Sequence, residues 1–261
     1  MRQLAIGAII LALSTGCAIQ SLFKPSRADV IEQIVPSAVQ IVLERDGERF
    51  RSGSGVAIAT RPSDQGTECF LLTSGHTLAR RSETDRLFVL FGRHRSTGTK
   101  ASAAIVAYRD SEEPDLALLR ARTDECVPAQ FGNPPALGDP IWVVAYPWGR
   151  NMTLVGGIVS QLNADPPGDR ATAPRFIVNA SVSYGSSGGG VYDADGRLVG
   201  VVEGYRTARV TFEGDAPRQS ITVPVPGETY VVPLADIRRF LHAVDQADLP
   251  TALQTVGSVR P

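Results

Sequence analysis

The run Tyr184-Gly185-Ser186-Ser187-Gly188-Gly189-Gly190-Val191-Tyr192 sets a serine hydroxyl among residues that leave the backbone amides bare. Such a composition suits a nucleophile. When a carbonyl carbon turns tetrahedral its oxygen gains negative charge, and backbone N–H groups aimed at that oxygen lower the barrier by about 3 kcal/mol. Glycines let the chain turn tightly enough to aim them. On composition alone the run reads equally as a Gly/Ser turn between strands. Two upstream segments change that balance. Cys69-Phe70-Leu71-Leu72-Thr73-Ser74-Gly75-His76-Thr77-Leu78 ends an apolar, strand-like run at a histidine, the side chain best suited to take a serine proton near neutral pH. Pro114-Asp115-Leu116-Ala117-Leu118-Leu119-Arg120 opens a second apolar run with an aspartate that could orient the imidazole. Singly, the histidine reads as structural and the aspartate as a turn residue.

Gly185-Ser186-Ser187-Gly188-Gly189 also satisfies G-x-S-x-G, the nucleophile elbow of α/β-hydrolases, which joins a strand to a helix. The residues after Ser187 argue against that elbow. Gly190-Val191-Tyr192 and Leu198-Val199-Gly200-Val201-Val202 are β-rich runs around Asp195-Gly196, which is a hairpin pattern. The elbow's chain order of serine, acid and histidine would require His242, which falls in a terminal helical pattern.

Taken in the order His, Asp, Ser, the three segments resemble the trypsin-like serine proteases of the chymotrypsin fold. Thr73-Ser74-Gly75-His76 is similar to T-x-x-H, Asp115-Leu116-Ala117-Leu118-Leu119 to D-[IL]-A-[VL]-L, and Gly185-Ser186-Ser187-Gly188-Gly189 to G-[DN]-S-G-G. Gly53-Ser54-Gly55-Val56-Ala57-Ile58, the stretch from Gly138 to Gly149, Gly156-Gly157-Ile158-Val159-Ser160 and Tyr230-Val231-Val232-Pro233-Leu234 sharpen the likeness toward the Deg/HtrA branch. The resemblance covers roughly residues 28 to 245. It implies an all-β fold: a double six-stranded antiparallel β-barrel with a C-terminal helix. It also implies a serine endopeptidase with His76, Asp115 and Ser187 as catalytic residues and the amides of Gly185 and Ser187 as the oxyanion hole. Substrate would be bound by Ser181, at the base of the primary specificity site, and by Val202, Glu203 and Gly204. With no carboxylate at that base, a small or medium apolar substrate side chain is expected. The side-chain direction of Glu203 stays open, because a one-residue strand slip reverses it. The alternative is a catalytically inactive trypsin-fold module that binds peptides.

Two departures from the family pattern carry expectations. Ser186 stands where trypsin has the aspartate that pairs with a newly cut N-terminus, so no activation cleavage is expected. Gly190 replaces a frequent proline or small residue, which predicts a looser oxyanion hole. With few residues after the final helical pattern, the PDZ module common in Deg/HtrA proteins is not expected.

Arg2, the apolar stretch Leu4 to Leu13, and Ser14-Thr15-Gly16-Cys17 have the n-region, h-region and small-residue cleavage site of a secretory signal. The apolar stretch is too short to span a bilayer. Cysteine after Gly16 resembles the bacterial lipobox, which predicts removal of residues 1–16, lipidation of Cys17 and a periplasmic protein anchored to the outer membrane. Ser14 departs from the leucine usual in that box, and an ordinary cleaved signal is the alternative. With Cys17 set aside, Cys69 and Cys126 remain, and a bridge or two buried thiols are both compatible with the sequence. No cofactor and no metal site are expected, since no C-x-x-C occurs and the chain holds three histidines.

With 26 Lys plus Arg against 27 Asp plus Glu, there is no basic stripe for nucleic acid. Proteins or peptides as substrates are the expected partners, with membrane contact through lipid on Cys17 and the homo-oligomeric state left open.

The elements that must position these side chains follow from apolar patterning. Residues 17–27 read as a tether and 28–246 as the protease domain, with barrels over roughly 28–126 and 138–246 and a tail at 247–261. Ser26 caps a helix from Arg27 to about Val35. Strands are expected at Ala38–Leu43, Gly55–Ala59, Phe70–Thr73, Leu87–Phe91, Ala103–Ala107 and Leu116–Arg120, with Asp46-Gly47 as a turn. Val127–Asp139 crosses to a second set at Ile141–Ala145, Leu154–Gln161, Phe176–Val182, Gly190–Tyr192, Leu198–Glu203 and Ser220–Val232. The stretches Asn163–Pro174 and Thr211–Glu228 are each expected to contain an irregular loop. Leu234, Ile237, Phe240, Leu241 and Val244 mark an amphipathic final helix.

Overall fold

A computed structural model describes residues 25–92, 98–109, 114–165, 174–212 and 219–258. The signal segment expected at residues 1–16 and Cys17 lie outside the described residues. The first helix, α1 (Arg27–Ile34), starts where expected. Ser26 Oγ accepts the Asp29 N–H while the Asp29 carboxylate accepts the Ser26 N–H, so two orphan donors of the first turn are satisfied reciprocally.

Strands β1 (Ala38–Arg45), β2 (Glu48–Ser63), β3 (Gly66–Thr73), β4 (Arg86–Leu90), β5 (Lys100–Arg109) and β6 (Leu116–Arg122) close into an antiparallel barrel in the order β1-β2-β3-β6-β5-β4. Asp46 and Gly47, both at positive φ, form the turn between β1 and β2. A second closed barrel, in the order β10-β11-β12-β9-β8-β7, is built from β7 (Pro140–Ala145), β8 (Thr153–Ala164), β9 (Arg175–Val178), β10 (Gly190–Asp193), β11 (Leu198–Phe212) and β12 (Gln219–Pro233).

Period-two alternation explains the unbroken apolar runs in the first barrel. Cys69 and Leu71 of β3, with Ala117, Leu119 and Ala121 of β6, join Val39, Ile41 and Leu43 inside that barrel. Their neighbours Phe70, Leu72, Leu116 and Leu118 face the other way and pack with Val144, Tyr146, Tyr192 and Val201 of the second barrel. Both faces are buried, so no polar alternation shows in the sequence. The second barrel has its own core of Ile141, Val143, Val159, Phe176, Val191 and Val202. The crossing segment stitches the halves together: Ala129 N–H donates to the Ala57 carbonyl, and Leu198 N–H donates to the Gln130 carbonyl.

Several expected bounds shift. Strand β11 runs past its expected end at Glu203, because β11 and β12 continue as a paired hairpin to Phe212 and Gln219, and the part of the expected loop at 213–218 lies outside the described residues. Here β pairing supplies what the Pro/Gly content concealed. Strand β9 stops at Val178, not Val182. After α2 (Leu234–His242) the tail is not loose: α3 (Thr251–Ser258) packs beside α2, and Leu249 and Leu253 are buried. His242 lies at the exposed end of α2. Cys69 and Cys126 are joined in a disulfide, tying β3 to the segment after β6.

Candidate active site

β3 ends at Thr73, and Ser74 leads into a short turn, Gly75–Leu78, that carries His76. Asp115 immediately precedes β6. Because β3 and β6 are paired neighbours, with Thr73 opposite Ala117, the strand ends deliver aspartate and histidine to one spot. Asp115 is 4% exposed. Its Oδ1 accepts the His76 backbone N–H at 2.7 Å, and its Oδ2 lies 2.5 Å from His76 Nδ1. An ionised carboxylate only accepts, so the Nδ1 proton is held there and Nε2 carries the free lone pair. His76 remains accessible to solvent.

Ser187 sits in the loop between β9 and β10, and both barrels hold that loop. Ser54 N–H from β2 donates to the Ser187 carbonyl at 2.9 Å. Gly188 N–H donates to the Val202 carbonyl, and Val202 N–H to the Gly189 carbonyl. Gly188 adopts φ +89°, and a Cβ there would lie 2.1 Å from the Ser54 carbonyl oxygen, so only glycine fits. The Ser54 hydroxyl donates to the Gly185 carbonyl and accepts the Tyr146 N–H, each at 2.7 Å. Trp148 N–H donates to the Tyr184 carbonyl at 2.6 Å. Among the described residues, the amides of Gly185 and Ser187 donate to no protein acceptor, and both residues line the cleft. That cleft, of about 470 Å³, also takes in His76.

The expected substrate residues are sorted by this geometry. Gly204 lines the cleft with open space above its Cα. Val202 is a correction: its side chain is fully buried in the second core, and its carbonyl accepts Gly188 N–H and the Ser74 hydroxyl. With its N–H also given to Gly189, it anchors the serine loop and has nothing left for substrate. Ser181 borders an adjoining cavity of about 190 Å³ with Trp148, Tyr184, Tyr205 and Pro226; among the described residues no charged side chain lines it. Its hydroxyl accepts the Gly227 N–H at 3.2 Å.

The direction of Glu203 follows from a β-bulge. Val202 opposes Val231 and Gly204 opposes Tyr230, so Glu203 is the extra residue. Its carboxylate edges the cleft and accepts Arg175 Nε at 2.6 Å, and Arg175 Nη1 reaches Asp236 of α2 at 2.9 Å. All three are buried. Burial pushes the Glu203 carboxyl above its ordinary range, opposed by the Arg175 hydrogen bond.

The looser oxyanion hole predicted from Gly190 finds no support in the local packing. Gly190 is paired with Val201 on one side and Val144 on the other, and a Cβ would meet the Tyr192 ring at 2.5–2.7 Å. Glycine makes room for Tyr192, whose hydroxyl pairs with the Ser37 hydroxyl at 2.7 Å. Ser186 is buried, and its hydroxyl accepts the Ser183 N–H. Sequence reasoning assigned no role to Ser54, Ser74, Trp148 or Arg175. Ser54, Ser74 and Trp148 each lie in a stretch that carried the resemblance, whereas Arg175 left no signal. No cluster of His, Cys, Asp or Glu suited to a metal occurs among the described residues.

Two closed antiparallel barrels, with a histidine–aspartate pair on the first and a glycine-cradled serine on the second, define a trypsin-fold protein. The family profile of the trypsin-like peptidase domain matches residues 53–201, more than half of the chain, and the chain belongs to that family; Deg/HtrA-type proteases are similar to it. Serine protease HTRA1 of Xenopus laevis is 30% identical over 197 residues, covering 71% of this chain and 39% of that protein. Putative protease Do-like 3, mitochondrial, of Arabidopsis thaliana is 28% identical over 202 residues, covering 75% of this chain and 30% of that protein. The chain thus spans about a third of the length of these relatives. The solved structure described as HtrA-type protease AlgW with tripeptide superposes with a TM-score of 0.64 at 21% identity, over 85% of this chain and 65% of that one, and shows the shared fold.

Proposed function

We propose that this chain is a serine endopeptidase working through an acyl-enzyme. Ser187 attacks a peptide carbonyl, His76 Nε2 takes the hydroxyl proton and returns it to the leaving amine, and Asp115 holds the imidazole tautomer and stabilises its protonated form. The amides of Gly185 and Ser187 receive the oxyanion. Water, deprotonated by the same histidine, then releases the acyl group. The observation that carries this reading is a carboxylate-oriented histidine in the same cleft as a serine flanked by two amides without protein acceptors.

Beyond Val201, β11 is paired with β12 and no longer with β10, which leaves one edge open at Glu203 and Gly204 beside the serine. An extended substrate would add there as a strand, with the side chain before the cut bond entering the uncharged cavity by Ser181. A small or medium apolar residue fits that volume. The leader favours export, a lipid on Cys17 and outer-membrane anchoring, with envelope proteins as substrates. The Cys69–Cys126 bridge supports an oxidising compartment.

Fluorophosphonate labelling with intact-mass analysis tests the enzyme reading. One adduct on Ser187, absent from Ser187→Ala and His76→Ala, is the expected result. A folded wild-type chain that stays unlabelled would make it a peptide binder without turnover.

A further inference from the structure

The charge of the cleft is one-sided. Arg51 and Arg80 line it, together with the neutral Ser52, Gly53, Thr77 and Ala79. Arg51 Nη1 donates to the carbonyls of His76 and Ala79, which pins the guanidinium against the turn that carries the histidine while its remaining N–H groups stay free to donate. Arg80 is exposed and held at φ +60°, a conformation that disfavours a non-glycine side chain and fixes where this one departs from the backbone. Among the described residues neither guanidinium meets a carboxylate. The carboxylate at the cleft edge, Glu203, is already bound by Arg175.

Those two cations lie on the side where the leaving group must sit. The amine departs toward the imidazole that protonates it. Arg51 is bonded to the carbonyl of that same histidine, and Arg80 follows it by four residues. The acyl side, by contrast, meets the β11 edge and an uncharged cavity. We infer that the leaving-group side of the cleft selects acidic side chains, so that preferred substrates carry Asp or Glu within the first few residues after the cut bond. The inference rests on the proposed orientation of substrate at Ser187, but it concerns binding and does not require turnover.

The test uses Ser187→Ala, which holds substrate without cutting it, and short fluorescent peptides with one apolar anchor residue and either Glu or Gln on its N-terminal or C-terminal side. Glu on the C-terminal side should tighten binding about 3-fold over Gln, the size of an exposed ion pair, with no gain on the N-terminal side. Arg80→Asn, which removes one charge and tolerates the left-handed backbone, should reduce the difference; Arg80→Glu, which sets a carboxylate against Arg51, should abolish it. Raising ionic strength should shrink it. Equal binding of the two peptides, or an acidic preference that survives Arg80→Glu, overturns the inference. Fluorophosphonate labelling of the wild type reads the other question separately. Labelling without an acidic preference sinks this inference alone, and an acidic preference without labelling sinks the enzyme reading alone.

Discussion

The two barrels hold their shares of the site by different means. In the first, His76 and Asp115 stand at the ends of paired neighbouring strands over an apolar interior, and a disulfide ties those strands' neighbourhood together. In the second, the serine loop is suspended by hydrogen bonds to Ser54 and the Val202 backbone, which the Ser74 hydroxyl holds in turn, beside a buried cluster of one cation and two carboxylates. A proton-transfer pair needs a fixed mutual distance, which adjacent strands supply. A nucleophile with two bare amides needs backbone polar groups left unpaired, and a sheet would consume them. Its loop must therefore be held through every other polar group it has.

Breaking the ion cluster is the harshest challenge to the second barrel. Arg175→Met removes the guanidinium that binds both Glu203 and Asp236, and should cost about 3–5 kcal/mol in urea unfolding. Replacing all three residues by apolar ones of similar volume should recover most of that loss. In the first barrel, removing the bridge with Cys69→Ala and Cys126→Ala should lower stability by about 2–4 kcal/mol while leaving the His76–Asp115 geometry and fluorophosphonate reactivity intact. A loss of reactivity larger than the loss of folded protein would show that the strands alone do not hold the pair.

Ser54→Ala sharpens the contrast at the seam. It deprives Tyr146 N–H and the Gly185 carbonyl of their partner, at about 1–3 kcal/mol, and should lower kcat about 10-fold with little change in KM. The smallest effect concerns pH. Because burial raises the Glu203 carboxyl, the folded chain holds that proton more tightly than the unfolded chain, and this residue's contribution to stability falls as pH rises above the ordinary glutamate value of about 4.3. Glu203→Gln removes that slope, so its stability relative to wild type should improve from acid to neutral pH. An unchanged difference across that range would mean that Arg175 fully offsets the burial.

Much of the site was legible because its residues sit in short runs with their own punctuation. His76 closes an apolar strand, Asp115 opens one, and Ser187 is bracketed by glycines. The cap at Ser26, the turn at Asp46-Gly47 and the hairpin at Asp195-Gly196 were legible for the same reason: local backbone chemistry decides them. The run of β11 beyond Glu203 to Phe212 was missed because pairing between distant residues, Thr211 with Ser220 and Val210 with Ile221, overrides a weak local preference. Gly190 was misread as slack because nothing near it in the sequence shows that the Tyr192 ring occupies its space.

By itself the sequence determined which residues could do the chemistry, the strand-and-turn rhythm that surrounds them, and the family. Tertiary structure alone decided that Val202 braces the serine loop while Glu203 bulges to the cleft edge and pairs with Arg175, that Ser54 ties three parts of the site together, and that Arg51 and Arg80 line the cleft with His76. Each of those outcomes depends on register and on contacts between strands far apart in the chain. A one-residue shift in pairing reverses the direction of a side chain without changing any local preference.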